Sequence, residues 1–279
     1  MTALALAFHY FFCLNFLVLI GALALHGLRL LLKPNWIKPI ESNLFKLLKV
    51  SYCLPLLFIP VVLLFRHIFP WASEGFALGS PGTFRAWYLS PVPFFARAFV
   101  YLGSWILVSE ALARKKRIPG PFVLVFVLLT ASFASFDWLL SMDPEFHSTI
   151  YGFIMILSGT LLAYNLCLWQ LKEVPEEKIL SDLNGVQLGF IGVWSYLQVM
   201  QLVTIWTANL PPEAAYYLSR LHTPDQYIAI VIALFQTALP IVLLFFKKLK
   251  RSFRFTQKLA LSTLILQSLY LYWLFRKDF

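Results

Sequence analysis

The chain has 279 residues, of which 60% are hydrophobic and only 13% charged, with a net charge of +10. A water-soluble domain carries about a quarter charged residues, so the composition points to a polytopic helical membrane protein with no room for a separate soluble domain. The alternating ten-residue segments of a transmembrane barrel are absent. The positive charge sits in short connections between hydrophobic runs, which argues against nucleic-acid binding.

Eight apolar runs are long enough to span a bilayer, near 4–26, 47–66, 91–113, 120–142, 148–170, 187–207, 226–247 and 257–275. The first lacks a basic flank and a cleavage site, and reads as a retained helix rather than a signal peptide. Pro55 and Pro60 predict a kink in the second. The segment 34–46 reads as a short interfacial helix, and 67–90 and 208–225 read as the long external loops. Lysines and arginines crowd the connections after spans one, three, five and seven, whereas the other side holds Arg66, Arg85, Arg220, Arg276 and Lys277. Positive-inside then places both termini outside. The eight spans divide four plus four at Asp143-Pro144, giving an all-α fold of two four-helix bundles, 1–142 and 143–279.

The richest stretch for chemistry runs from Ser132 to Gly152, where Asp137, Asp143, Glu145 and His147 lie within eleven residues. Charge in or beside a bilayer is costly and marks a functional candidate. Counting from the helix ends, Asp137 lies about 8 Å deep and Arg97 about 9 Å. His9 and Gln201 come out at about the same depth, so these four are expected to share one layer. Three readings stay open. Arg97 and Asp137 form a structural salt bridge, with Ser132 and Ser135 hydrogen-bonding between helices; the layer begins a proton pathway; or it binds a quinone headgroup. Glu110 falls near the inner face, beside Arg114 to Arg117, where it pairs with those cations or extends the proton path. Gln236, Gln267, Ser158, Tyr164 and Asn165 lie deeper and read as helix–helix hydrogen bonders. Asp143, Glu145, His147, Asn209 and Glu213 fall on the outer rim, where external partners could be met.

Cofactor signals are weak. Cys13, Cys53 and Cys167 form no CxxC or CxxCH pattern, and of the five histidines only His9 falls inside an expected span away from its ends. Metal binding by Asp137, Asp143, Glu145 and His147 is disfavoured because Pro144 breaks helical spacing.

Ser135-Phe136-Asp137-Trp138, Ser141-Met142-Asp143-Pro144 and Phe146 through Gly152 together resemble a segment of the F subunit of bacterial alternative complex III. That subunit belongs to the NrfD-like (polysulfide-reductase-type) membrane family. The stretch from Ile205 to Glu213 is similar to a second family segment, from which Thr207 and Pro212 depart, with Gln201 in the preceding helix. Tyr88-Leu89, Arg97 and Trp105 resemble its third-helix pattern; Phe11-Phe12, Gly21-Ala22 and Trp36 resemble an early helix. The resemblance implies a membrane subunit of a quinol:cytochrome c or other-acceptor oxidoreductase that holds no redox cofactor itself. Haem c and iron–sulfur clusters would lie in partner subunits, beside a paralogous quinol-oxidising membrane subunit, in a bacterial cytoplasmic membrane. It also implies part of a proton path. Family members have ten helices as a rule, so one preceding and one following helix are expected to be missing here. The alternatives are the quinol-binding subunit itself and a stand-alone transporter, the latter disfavoured because its site would lie at mid-membrane.

Overall fold

The computed structural model describes residues 2–73, 83–221 and 223–275. His222, Arg276, Lys277 and the middle of the 67–90 loop lie outside the described residues. All regular structure within them is helical. The main elements are α1 (Thr2–Leu32), α2 (Lys38–Leu47), α3 (Val50–Leu63), α4 (Pro91–Ala113), α5 (Gly120–Trp138), α6 (Tyr151–Trp169), α7 (Glu177–Ala208), α8 (Pro211–Leu221), α9 (Asp225–Phe245) and α10 (Phe253–Phe275). Seven of these are long and apolar enough to cross a membrane. The chain is an all-α polytopic membrane protein.

The second expected span takes a different form. At 14 residues α3 is about 21 Å long, short of the roughly 30 Å of a hydrocarbon core. It qualifies only together with the segment Asn35–Leu47, from which it is bent by 40°. Three other expectations are corrected. Helix α7 begins ten residues before the expected 187, because its first turns carry Glu177, Lys178 and Asp182 and are too polar for a hydropathy reading, although nothing in them breaks a helix. The expected loop 208–225 contains α8, started by Pro211 and Pro212, whose fixed φ suits a first helical turn. Helix α1 continues to Leu32, so His26 is also interior to a helix.

Chain reversals are written in local chemistry. Lys33, Lys115 and Asn209, just beyond α1, α4 and α7, adopt left-handed φ of 47°, 52° and 48°. This is the usual way to close a helix C-terminus. Pro34, Pro119 and Pro211 then prevent the helix from resuming.

Helix α6 is the axis of the molecule. It runs against α1, α5, α7 and α10 at once, so the first helix of the second four lies among helices of the first. In lipid, helices gain little from apolar contact as such and rely on close packing. Gly21 of α1 and Gly159 of α6 supply it: a Cβ on Gly21 would come within 1.9 Å of the Gly159 carbonyl oxygen, and one on Gly159 within 2.3 Å of the Leu17 oxygen. Beside this seam α1, α3, α4 and α5 enclose an aromatic core, with the Trp138 ring 4.8 Å from Phe12, 5.1 Å from Phe16 and 5.8 Å from Trp105.

Candidate functional site

Helix α5 ends at Trp138, and a helix end leaves carbonyls without intrahelical partners. Ser141 Oγ donates to the Asp137 carbonyl at 2.5 Å, and His9 Nε2 lies 2.7 Å from the Trp138 carbonyl. A carbonyl only accepts, so His9 Nε2 carries the proton. His9 is fully buried among Phe12, Phe69 and Phe275. It therefore caps α5, and its hydrogen bond goes to the backbone next to Asp137 rather than to the carboxylate.

The Asp137 side chain, 1% exposed, meets Arg97 of α4 in a two-pronged pair. Arg97 Nε and Nη2 donate to Oδ2 and Oδ1, each at 2.9 Å, and Tyr101 Oη donates to Oδ2 at 3.2 Å. The remaining Arg97 nitrogen, Nη1, donates to the Tyr88 carbonyl at 2.9 Å, and the guanidinium lies 3.6 Å from the centre of the Tyr88 ring. Burial, together with the Asp137 carboxylate, pushes the Tyr88 phenol well above its usual range. Every nitrogen of the cation and both oxygens of the anion have partners.

A second cluster was not visible in the sequence. Asp143, in the junction between α5 and α6, accepts from Arg220 Nη2 of α8 at 3.0 Å. Arg220 Nη1 donates to the Tyr216 carbonyl at 2.7 Å, and Nη2 also reaches the Leu274 carbonyl at 3.3 Å. The guanidinium stacks 3.8 Å above the Tyr216 ring, which itself stacks on Phe146 at 3.8 Å. Burial pushes the Tyr216 phenol up to about 12, so it stays neutral. By sequence Arg220 falls in the expected loop 208–225, and the only clue to its place is its i+4 spacing from Tyr216.

The expected single layer therefore splits. Arg97 and Asp137 meet, with His9 one residue away. Gln201 does not join them: its Oε1 accepts from Ser148 at 2.5 Å, and it shares a small cavity with Tyr216 and Phe146. Equal depth does not set the direction in which a helix face points. Ser135 bonds back to the Ala131 carbonyl at 2.7 Å, within its own helix, and Ser132 packs where a Cβ on Gly152 would stand. Glu110 pairs with Arg114 and accepts from Tyr52. Glu145 and His147 are exposed, Glu213 is half-buried in the first turn of α8, and Asn209 is the left-handed residue closing α7. Among the described residues, no three His, Cys, Asp or Glu side chains converge on one point.

A polar stripe along α7 also escaped the sequence reading. Asn184 donates to the Lys250 carbonyl and Thr256, Gln187 to Asn165 Oδ1, Trp194 to Ser158, and Ser195 to Thr237, all at 2.7–3.0 Å. Gln198 and Gln201 continue it. The stripe covers about 26 Å from Asn184 to Gln201 at the helical rise, close to a hydrocarbon thickness. Several of its atoms lack a hydrogen-bond partner among the described residues: Asn184 Oδ1, Gln187 Oε1 and Gln198 Nε2, with both side-chain polar atoms of buried Gln236 and Gln267. The three- and four-residue spacing of these side chains was the available signal.

Near the Asp143 junction, the short helix Phe84–Tyr88 and residues 140–147 border a cleft of about 290 Å³. Arg85 donates across it to the Pro144 carbonyl, and Phe84 and Trp87 are exposed at 73% and 59%.

No family model matches this chain, and no curated protein sequence matches it.

Proposed function

We propose that this protein is a membrane subunit of a quinol-oxidising respiratory complex of the alternative complex III type. In this reading it lies in a bacterial cytoplasmic membrane with both termini outside, and it supports electron transfer to cytochrome c or a terminal oxidase without holding a redox group. Its neighbours are a paralogous quinol-oxidising subunit, iron–sulfur and cytochrome c subunits carrying haem c, and lipid. The sequence resemblance supplies the family.

The observation that carries the non-catalytic role is the closed state of the Arg97–Asp137 pair. A carboxylate that took protons from a quinol would need an open face and a free lone pair. Here Asp137 is 1% exposed and both its oxygens are engaged. The part in proton transfer goes to the α7 stripe, whose unpartnered amides are the polar groups that a chain of ordered water would need. The cleft by residues 140–147, lined by Asp143 and His147, with exposed Glu145, Phe84 and Trp87 nearby, is the surface offered to external subunits.

The deciding experiment is purification from native membranes in mild detergent with identification of what accompanies the chain. Iron–sulfur and multihaem cytochrome subunits in fixed stoichiometry are expected. A homo-oligomer of this chain alone would sink the reading and favour a transporter.

A further inference from the structure

The orphaned donors of the second half do not all belong to the α7 stripe. Between α7, α8, α9 and α10 lies a groove of about 300 Å³, walled mainly by Trp194, Val199, Leu202, Tyr217, Ile232 and Tyr270. Three features set it apart from an ordinary seam between helices.

First, α9 is wound as a π-helix from Ile232 to Ala238, and Ile232, Ala233 and Thr237 of that stretch line the groove. Such windings are uncommon and recur at functional sites. Second, Trp273 lines the groove, and its Nε1 has no hydrogen-bond partner among the described residues, whereas the Gln198 amide beside it lies against Tyr270. Trp273 is 7% exposed, so water does not reach its N–H from the surface. A buried donor left unmade is costly, and an acceptor in the groove removes that cost. Third, no Lys, Arg, Asp or Glu lines it. The acceptor it suits is neutral, a carbonyl rather than a phosphate or carboxylate.

The groove also has a direction. Trp273 lies two residues before the last described residue of α10. Trp194 lies about 21 Å along α7 from its end at Ala208, at the helical rise. The Trp273 donor thus sits near one face of the bundle, and the apolar walls run from there towards mid-membrane. Val199 and Leu202 are 57% and 45% exposed, so the groove opens sideways, where bilayer lipid is the abundant neighbour.

We infer that this groove is a specific site for one glycerophospholipid. An acyl ester carbonyl accepts from Trp273 Nε1, the acyl chain lies along the π-wound stretch of α9, and the phosphate stays outside.

The test is native mass spectrometry of the full chain, with whatever subunits accompany it, released from detergent with its bound lipid and then titrated with dioleoyl phosphatidylethanolamine. One lipid retained by the wild type is expected. Trp273→Phe removes only the N–H, and Ala233→Trp fills the groove from α9. Each should lower retention at least tenfold, while Trp169→Phe at the other end of the molecule should leave it unchanged. Thermal unfolding of each variant identifies any that merely misfolds, and the two lesions act from different helices. No retained lipid, retention indifferent to both folded variants, or retention of an isoprenoid quinone in place of phospholipid would each overturn the assignment. These outcomes leave the identity of accompanying subunits, and so the proposed complex, untouched.

Discussion

The two arginine–aspartate clusters share a plan and differ in closure. In each, a guanidinium lies flat on a tyrosine ring, at 3.6 Å for Arg97 on Tyr88 and 3.8 Å for Arg220 on Tyr216, and takes a backbone carbonyl as well as a carboxylate. Asp137 is 1% exposed and held by two prongs, and all three Arg97 nitrogens are used. Asp143 is 28% exposed with Arg220 Nη2 at 3.0 Å, and Arg220 Nε has no partner among the described residues. A buried charge pair is tolerable only when its geometry satisfies both members. The first cluster meets that condition inside the bundle. The second does not need to, because water reaches its carboxylate. The first is therefore a lock between α4 and α5, and the second a more exposed tie from the α5–α6 junction to α8 and α10.

The contrast can be broken most severely at Asp137. Asp137→Asn strands the half-buried Arg97 guanidinium and should cost about 3 kcal/mol, the low end for a broken buried pair, read as a lowered unfolding midpoint in detergent. Adding Arg97→Met should recover much of that loss. A double variant as unstable as the sum of the two singles would mean that the pair is not coupled. At the second cluster Asp143→Asn should cost less, about 1.5–3 kcal/mol for the charged hydrogen bond from Arg220. An equal or larger loss than at Asp137 would reverse the ranking drawn from exposure. The smallest stability effect is expected in the α7 stripe. Gln187→Leu removes one interhelical hydrogen bond to Asn165, worth about 0.6 kcal/mol in a membrane, but should slow proton movement across reconstituted vesicles. Unchanged proton flux would leave the stripe a purely structural ladder.

Much of the Arg97–Asp137 lock was legible because two opposite charges at one depth in lipid have few alternatives to pairing. His9 was legible by depth too, but its partner was not, since the free carbonyl at Trp138 exists only once α5 has ended. Gln201 shows that depth alone does not select a partner. It has the right depth and the wrong direction, and bonds to Ser148 instead. Arg220 was hidden for another reason: a polar segment between spans reads as loop, whereas Pro211-Pro212 starts a helix that carries the side chain inward.

The sequence by itself determined the fold class and the approximate spans, because a bilayer forces backbone polar groups into helices and makes long apolar runs unmistakable. It also determined the chain reversals, through Lys33-Pro34, Lys115 and Asn209 with the prolines that follow. Only the tertiary structure decided which helix faces meet. The Gly21–Gly159 contact makes α6 the central axis, the α7 amides fall into one stripe, and Trp273 comes to line the same groove as Gln198. Hydropathy reports how deep a residue lies. The rotation of each helix about its own axis, which selects the partners, is settled by packing against every neighbour at once.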